Sequence, residues 1–261
     1  KGAVKINYEF QHTFQSIAYV PKMTRAADYI TFYKEKYAAT GTFDTLLENS
    51  YDGKTDTDWV KEAFETSHMD RHSINMSAAN DHGSFLLSLS YMDNNGIVKG
   101  DKDTYDRITM TFNGDYKFTK WLNVASNISM DKTVTNKSIN EGSLFGGYTS
   151  ATLMTDPLTP VYGMTPYMED LLAAGNHLMG DENGYYCVSD FFVSENAHPL
   201  VSREKSLSVN KRFQVRGNIS LNLIPVKGLT ITSRLGYRFS GNYSNRFSYK
   251  YIYNTQNKGD N

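Results

Sequence analysis

The sequence has a single cysteine, Cys187, in 261 residues, so it has no internal disulfide, and no Cys/His cluster has zinc spacing. Charge of either sign is not in excess. A formal net charge of -1, with 27 basic and 28 acidic residues, supplies neither the basic field that nucleic acid needs nor an acidic tail, so nucleic acid is excluded as a partner. No run of about 18 apolar residues occurs, which excludes a transmembrane helix. A transmembrane strand is not excluded, because alternation keeps average hydropathy low. Proline is scarce, with 6 residues, whereas Tyr (19) and Phe (14) are abundant, a balance that suits long strands. No leader is recognisable, since Lys1 to Phe10 already reads as a strand, and the chain reads as an excerpt of something larger.

Alternation with period 2 is clearest from Leu229 to Tyr253, where odd positions such as Leu235, Tyr237, Phe239 and Tyr243 are apolar. The even positions between them include Arg234, Arg238, Asn242 and Arg246. At about 3.3 Å per residue such a strand would be roughly 80 Å long, far beyond the common strand of about 5–6 residues. Six further stretches alternate in the same way: Val4 to Ser16, His72 to Ala79, Ser84 to Tyr91, Arg107 to Phe118, Leu122 to Val134 and Leu207 to Leu223. Joined in order, they run antiparallel.

The connections alternate in length. Asn80 to Gly83, Thr119 to Trp121 and Ile224 to Gly228 are tight turns, whereas Ile17 to Arg71, Met92 to Asp106 and Thr135 to Ser206 are long. Short turns at one end and long loops at the other are the habit of outer-membrane barrels. Two helices are expected in the loops. Thr24 can cap one that shows Tyr29, Ile30, Tyr33 and Tyr37 on one face, and Thr165-Pro166 opens a second that ends before Gly175.

Near the short turns the apolar phase of all seven stretches, from Ile6, Tyr8 and Phe10 to Leu235, Tyr237 and Phe239, carries no charged residue. The opposite phase carries Lys5, Glu9, Asp115, Lys117, Arg216, Arg234 and Arg238 among many Asn, Ser and Thr. A charge on a lipid-facing surface costs about 2–4 kcal/mol at the bilayer midplane, so an apolar belt opposite a polar lumen accounts for both patterns. The fold class expected is therefore all-β: an antiparallel transmembrane β-barrel segment of about seven strands with long extracellular loops containing short helices. Aromatics near the two ends, Phe118 and Trp121 at one and Tyr249, Tyr251 and Tyr253 at the other, fit interfacial girdles. The alternative is a soluble or surface-attached β-sandwich that binds glycans, which also alternates but closes its apolar face against a second sheet. Seven strands leave two open edges and an odd count, so further strands are expected to complete a barrel.

Catalytic and metal chemistry is not legible. His68 and His72 are four apart, but Met69 stands where a zinc protease needs Glu. Gly142, Gly146 and Gly147 follow no strand-to-helix phosphate fingerprint, and Asp181-Glu182-Asn183-Gly184 and Asp93-Asn94-Asn95-Gly96 read as turns rather than calcium loops. No nucleophile context is present, so neither an enzyme nor a cofactor is expected. The candidate substrate-binding residues are Tyr148, Tyr162 and Tyr167 in the longest loop, because flat rings suit sugar faces and loops carry specificity. Packing within the loop is the competing role for each.

Two runs carry a resemblance: TDWVKEAFETSHMDRHSINMSAANDHGSFLLSLSYMDNNGIVKG, Thr57 to Gly100, and YDRITMTFNGDYKFTKWLNV, Tyr105 to Val124. Asp58-Trp59 before a short helix, His72 at a strand entry, Ser88 to Tyr91, Asn95 to Val98 and Arg107 leading into Asn113 together resemble the SusC/RagA family of TonB-linked outer-membrane transporters. Pro21 to Glu35 is similar to that family's first outer loop, and His198-Pro199-Leu200-Val201 to its Asn-Pro-Leu element with His for Asn. The resemblance implies that residues 1–261 are the N-terminal part of the barrel domain, after a plug and before the remaining strands of a barrel of about 22. It further implies a bacterial cell outer-membrane location, import of oligosaccharides or peptides, a SusD-like lipoprotein partner, outer-membrane lipid around the wall, and energy from the TonB complex through the plug. A siderophore or cobalamin receptor would share the fold and differ in cargo.

Overall fold

The computed structural model describes residues 3–137, 147–191, 198–254 and 258–259. Three tight turns organise it. Between β2 (Ser67–Asn80) and β3 (Gly83–Asn95), the Asn80 side-chain oxygen accepts from the backbone of His82 at 2.8 Å and Gly83 at 3.0 Å, closing an Asx-turn. Between β4 (Asp103–Lys117) and β5 (Leu122–Lys137), the Thr119 hydroxyl does the same for Trp121 and Leu122. Between β8 (Ser206–Val226) and β9 (Leu229–Ser248), Gly228 takes φ +89° in a two-residue turn. With β1 (Lys5–Gln15) ahead of them, the strands form one antiparallel sheet in the order β1-β2-β3-β4-β5-β8-β9. β6 (Gly180–Asp181) pairs only with β7 (Gly184–Tyr185), and β10 (Tyr251–Ile252) only with β11 (Lys258–Gly259).

The seven expected strands are all present, with several ends moved. β2 begins at Ser67 rather than His72, because it pairs with all of β1. β3 and β4 run on to Asn95 and back to Asp103, so Asp93, Asn94 and Asn95 are strand residues and not a turn. β8 extends through a bulge to Val226. β9 stops at Ser248, and the aromatic alternation beyond it belongs to loop structure: Tyr251 and Tyr253 are buried, and no girdle forms there. Period 2 reports which side a residue faces, not what covers that side.

Register aligns the apolar phase of every strand. One row across the sheet reads Tyr8, Ile74, Leu89, Met110, Met130, Val215, Phe239, and the next towards the short turns reads Ile6, Met76, Leu87, Phe112, Ile128, Gly217, Tyr237. Two rows in the other direction from the first, the same face carries His12, Asp70, Asp93, Asp106, Val134, Lys211 and Tyr243, so the uncharged belt has a defined edge. Lys132 and His72 mark the row between. From Leu122 to that row, ten residues at about 3.3 Å and a tilt of about 40° give a height near 25 Å, the thickness of a lipid-facing band.

This apolar face is bare. Ile6 and Leu235 are each 68% exposed and Phe239 61%, and among the described residues every buried apolar side chain lies outside the seven long strands. A sandwich would need a second sheet over this face, and the other pairings among the described residues are two residues long or single bridges. Both edge strands, β1 and β9, have one neighbour each.

The long connections hold six helices among the described residues: α1 (Ala26–Lys36), α2 (Thr42–Ser50), α3 (Trp59–Ala63), α4 (Tyr148–Met154), α5 (Pro166–Ala173) and α6 (Pro199–Glu204). The expected helix over 29–37 exists, but Thr24 does not cap it. Asp56, thirty residues on, accepts from the Ala26 backbone at 2.8 Å and binds Arg25. α5 forms as its local sequence dictates, with Thr165 accepting from Met168 at 3.3 Å and Gly175 left-handed past the end. No helix among the described residues is long and apolar enough to cross a membrane.

Candidate functional site

The loops opposite the tight turns build their own core. Tyr29, Ile30 and Tyr33 of α1 pack on Phe43 of α2 and on Leu158. Trp59, capped into α3 by Asp58, reaches across the loops: its indole N–H donates to the Asp156 carbonyl at 2.7 Å, and its ring meets His198 edge-on at 4.5 Å. His198 caps α6 by accepting from the Leu200 backbone through Nδ1 at 3.2 Å, which leaves Nε2–H to donate to the Val161 carbonyl at 3.0 Å. Complete burial pushes its pKa down to about 3, so the ring is neutral. Asp156 is buried too, and burial raises its carboxyl above the usual range despite bonds from Ser189, Thr159 and the Leu158 backbone. These groups are spent on one another and tie two connections together, β1 to β2 and β5 to β8.

Beside this knot, above α6 and the end of β9, lies an open cavity of about 770 Å³ lined by His177 to Tyr186, Arg203, Glu204 and Tyr249. Its charges are partly committed. Glu204 is held by Arg203 at 2.7 Å and Lys102 at 3.6 Å, and Arg203 donates to the Lys99 carbonyl at 2.7 Å. Burial alone would raise the Asp181 carboxyl, but the Asn183 backbone N–H and the hydroxyls of Tyr162 and Tyr186 outweigh it and hold it below the ordinary carboxylate range. The Asp181 to Gly184 turn is thus rigid, as its composition suggests. What the cavity offers a ligand is the Tyr185 and Tyr249 rings, each 41% exposed, with the Glu182 carboxylate and the His177 imidazole beside them.

The three candidate tyrosines are placed differently. Tyr162 braces the cavity's wall, donating to Asp181 at 2.8 Å and tilting against Tyr186. Tyr167 is half-buried against the loop core. Tyr148 is 1% exposed, donates to the Ala63 carbonyl at 2.7 Å and meets Phe64 edge-on, so packing occupies it. Tyr185 and Tyr249 were passed over by sequence reading: Tyr249 continues the alternation of β9 and reads as strand. Gly142 and Gly146 lie outside the described residues, and Gly147 precedes α4.

Among the described residues no catalytic assembly emerges. Cys187 is buried, and burial, then Asp190 and Asp156, pushes its thiol up to about 12, far from a reactive thiolate. His68 and His72 are four apart on a strand, hence about 13 Å, too far to share a metal. His72 instead bonds the Tyr8 hydroxyl at 2.8 Å. Among the described residues no three His, Cys, Asp or Glu gather as metal ligands.

No family model matches the sequence, and no curated protein matches it. Solved structures do. A structure of the RagAB peptide transporter superposes with a TM-score of 0.70 at 15% identity, covering 96% of this chain and 30% of that one. The RagAB peptide importer in its closed-closed state gives 0.66 at 16% identity, with 97% of this chain and 30% of that one, and in its open-open state 0.67 at 16%, with 97% and 29%. The chain therefore has the fold of one part of those structures and spans about 30% of their length.

Proposed function

We propose that the chain is a wall and outer-loop segment of a TonB-linked outer-membrane importer of the SusC/RagA type, the N-terminal part of its barrel domain. The carrying observation is the uncharged face that runs unbroken over seven strands, stays uncovered, and ends at a row of charges about one lipid thickness from the tight turns. Open strands at both edges support continuation into a closed barrel. The likeness to RagAB, a peptide importer, favours peptide cargo over oligosaccharide. The resemblance of Thr57 to Gly100 and Tyr105 to Val124 to the SusC/RagA family adds a SusD-like lipoprotein partner, an outer-membrane location and uptake driven by TonB. The 770 Å³ loop cavity, with Tyr185 and Tyr249 on it and Tyr162 behind it, is the proposed first contact for cargo, and Tyr167 and Tyr148 support it from the core.

Cell fractionation of the full-length protein tests the reading. It should partition with the outer membrane and require detergent for solubility; recovery as a detergent-free soluble species would end the proposal. At the cavity, Y249A and Y185A should each weaken peptide binding to the intact transporter, and unchanged affinity in both would remove the cavity from the path.

A further inference from the structure

The polar face of the sheet is not evenly polar. β8 and β9 contain no Asp or Glu, yet they place Arg212, Arg216, Arg234, Arg238 and Arg246 on that face. Register sets Arg216 directly opposite Arg238, and like charges directly opposite each other destabilise a sheet. Neutral acceptors do not make up the deficit. The Gln214 carbonyl oxygen either accepts from Arg212 at 3.3 Å or, with the amide turned over, takes two bonds from Arg238 at 2.9 Å, so it serves one guanidinium and not both. Ser220 accepts from Arg234 at 3.0 Å. From β4, across β5, Arg107 adds a guanidinium whose Nε is buried with no hydrogen-bond partner among the described residues. Among those residues no carboxylate lies within ion-pair distance of any of these six arginines.

Two open hollows lie along this ladder. One, of about 650 Å³, is flanked by Arg107, Arg212 and Arg216, with Asp131 its single acidic residue. The other, of about 510 Å³, lies between Arg216 and Arg238, and Gly236 leaves its floor bare. A row of forked donors that outnumbers the described carboxylates beside it is the arrangement that selects anions in pores and grips carboxylates bidentately. Arg212 and Arg216, like Arg234 and Arg238, are four residues apart on a strand, about 13 Å, the spacing of carboxylates four residues apart in an extended peptide.

Building on the importer reading, we propose that this ladder is a carboxylate-binding track on the aqueous wall and that the cargo it favours is an extended acidic peptide. The carboxylates of such a peptide supply the acceptors that Arg216 and Arg107 lack, and relieve the repulsion of the facing pair Arg216 and Arg238.

The test is uptake by cells carrying the full-length transporter, with three fluorescent nine-residue peptides bearing Glu, Lys or Ser at every fourth position, and a galacturonate tetramer as the non-peptide anion. The wild type should take up the Glu peptide about tenfold faster than the Lys peptide, and R216Q/R238Q should erase that preference at unchanged outer-membrane abundance. R238K, which keeps charge and loses the fork, should fall between; it carries the test if the double variant assembles poorly. Uptake of Glu and Lys peptides at equal rates, or an unaltered preference in both variants, overturns the track while leaving the importer reading standing. Faster uptake of galacturonate than of the Glu peptide overturns the peptide assignment. Uptake of none of the four defeats the importer reading and the track with it.

Discussion

The sheet and the loops of this chain solve opposite problems. In the loops, Trp59, Tyr148, Tyr186, His198 and Val201 are almost wholly buried, and a carboxylate and an imidazole are taken out of water with their bonds satisfied. In the sheet, the large apolar side chains stand bare on one face while the polar groups on the other engage one another, as Ser88 does in donating to Asn75 at 2.6 Å. A folded domain in water puts its greasy residues where the loops put theirs. The contrast teaches that the two regions are built for different solvents: the loops for water, by burying a core, and the sheet for something that is itself apolar.

If that division is real, each region should break by itself. The largest effect is expected for W59A, which removes an indole from the loop knot and the bond to Asp156; loss of a buried Trp costs about 3–5 kcal/mol. Hydrogen exchange should rise across α3, α4 and α6 and not in β2 to β5, and exchange spreading into the strands would show that the regions are one cooperative unit. Next is I128R, near the middle of the belt, where a charge facing lipid costs about 2–4 kcal/mol. Denaturant titration of the full-length protein in liposomes should register that loss, and T111R on the opposite face, paired with Ser88 and Ser129, should register little.

A third test uses pH on the loops alone. His198 has a folded pKa depressed to about 3, below its unfolded value near 6.5, so the unfolded loops bind the extra proton and stability is lost as pH falls from 6.5 towards 3. By pH 5 the loss should be about 2 kcal/mol. Asp156 works the other way, since its raised pKa means that protonation relieves a burial cost in acid. Limited proteolysis of the outer loops from pH 7 to pH 5 should accelerate in the wild type, and H198N, which keeps a cap and cannot titrate, should flatten the profile. The smallest expected effect is T165A, about 1 kcal/mol, confined to α5 and visible as local exchange.

The strands were legible because each side chain's face follows from its place in the chain: the alternation from Arg107 to Phe118 names its own two faces. The tight turns were equally local, since Asn80 and Thr119 bond backbone two and three residues away. The candidate site was legible only in part. Tyr162 borders the cavity as a loop tyrosine can, whereas Tyr148 is consumed by packing against segments more than eighty residues distant, and Tyr249 looks like one more strand residue until β9 ends. The facing of Arg216 and Arg238 depends on which residues pair, and alternation along one strand says nothing of that.

From the sequence by itself come the seven-stranded antiparallel plan, the long and short ends and the two-faced character of every strand, because these rest on interactions between residues a few positions apart. Tertiary structure alone decided that Asp56 caps α1, that Trp59, Asp156 and His198 meet, that Tyr251 and Tyr253 turn inward, and that the arginines form one ladder. Each of these joins residues far apart in the chain, and such contacts are chosen by how buried polar groups and side-chain volumes can be satisfied together, a condition that no single stretch of sequence contains.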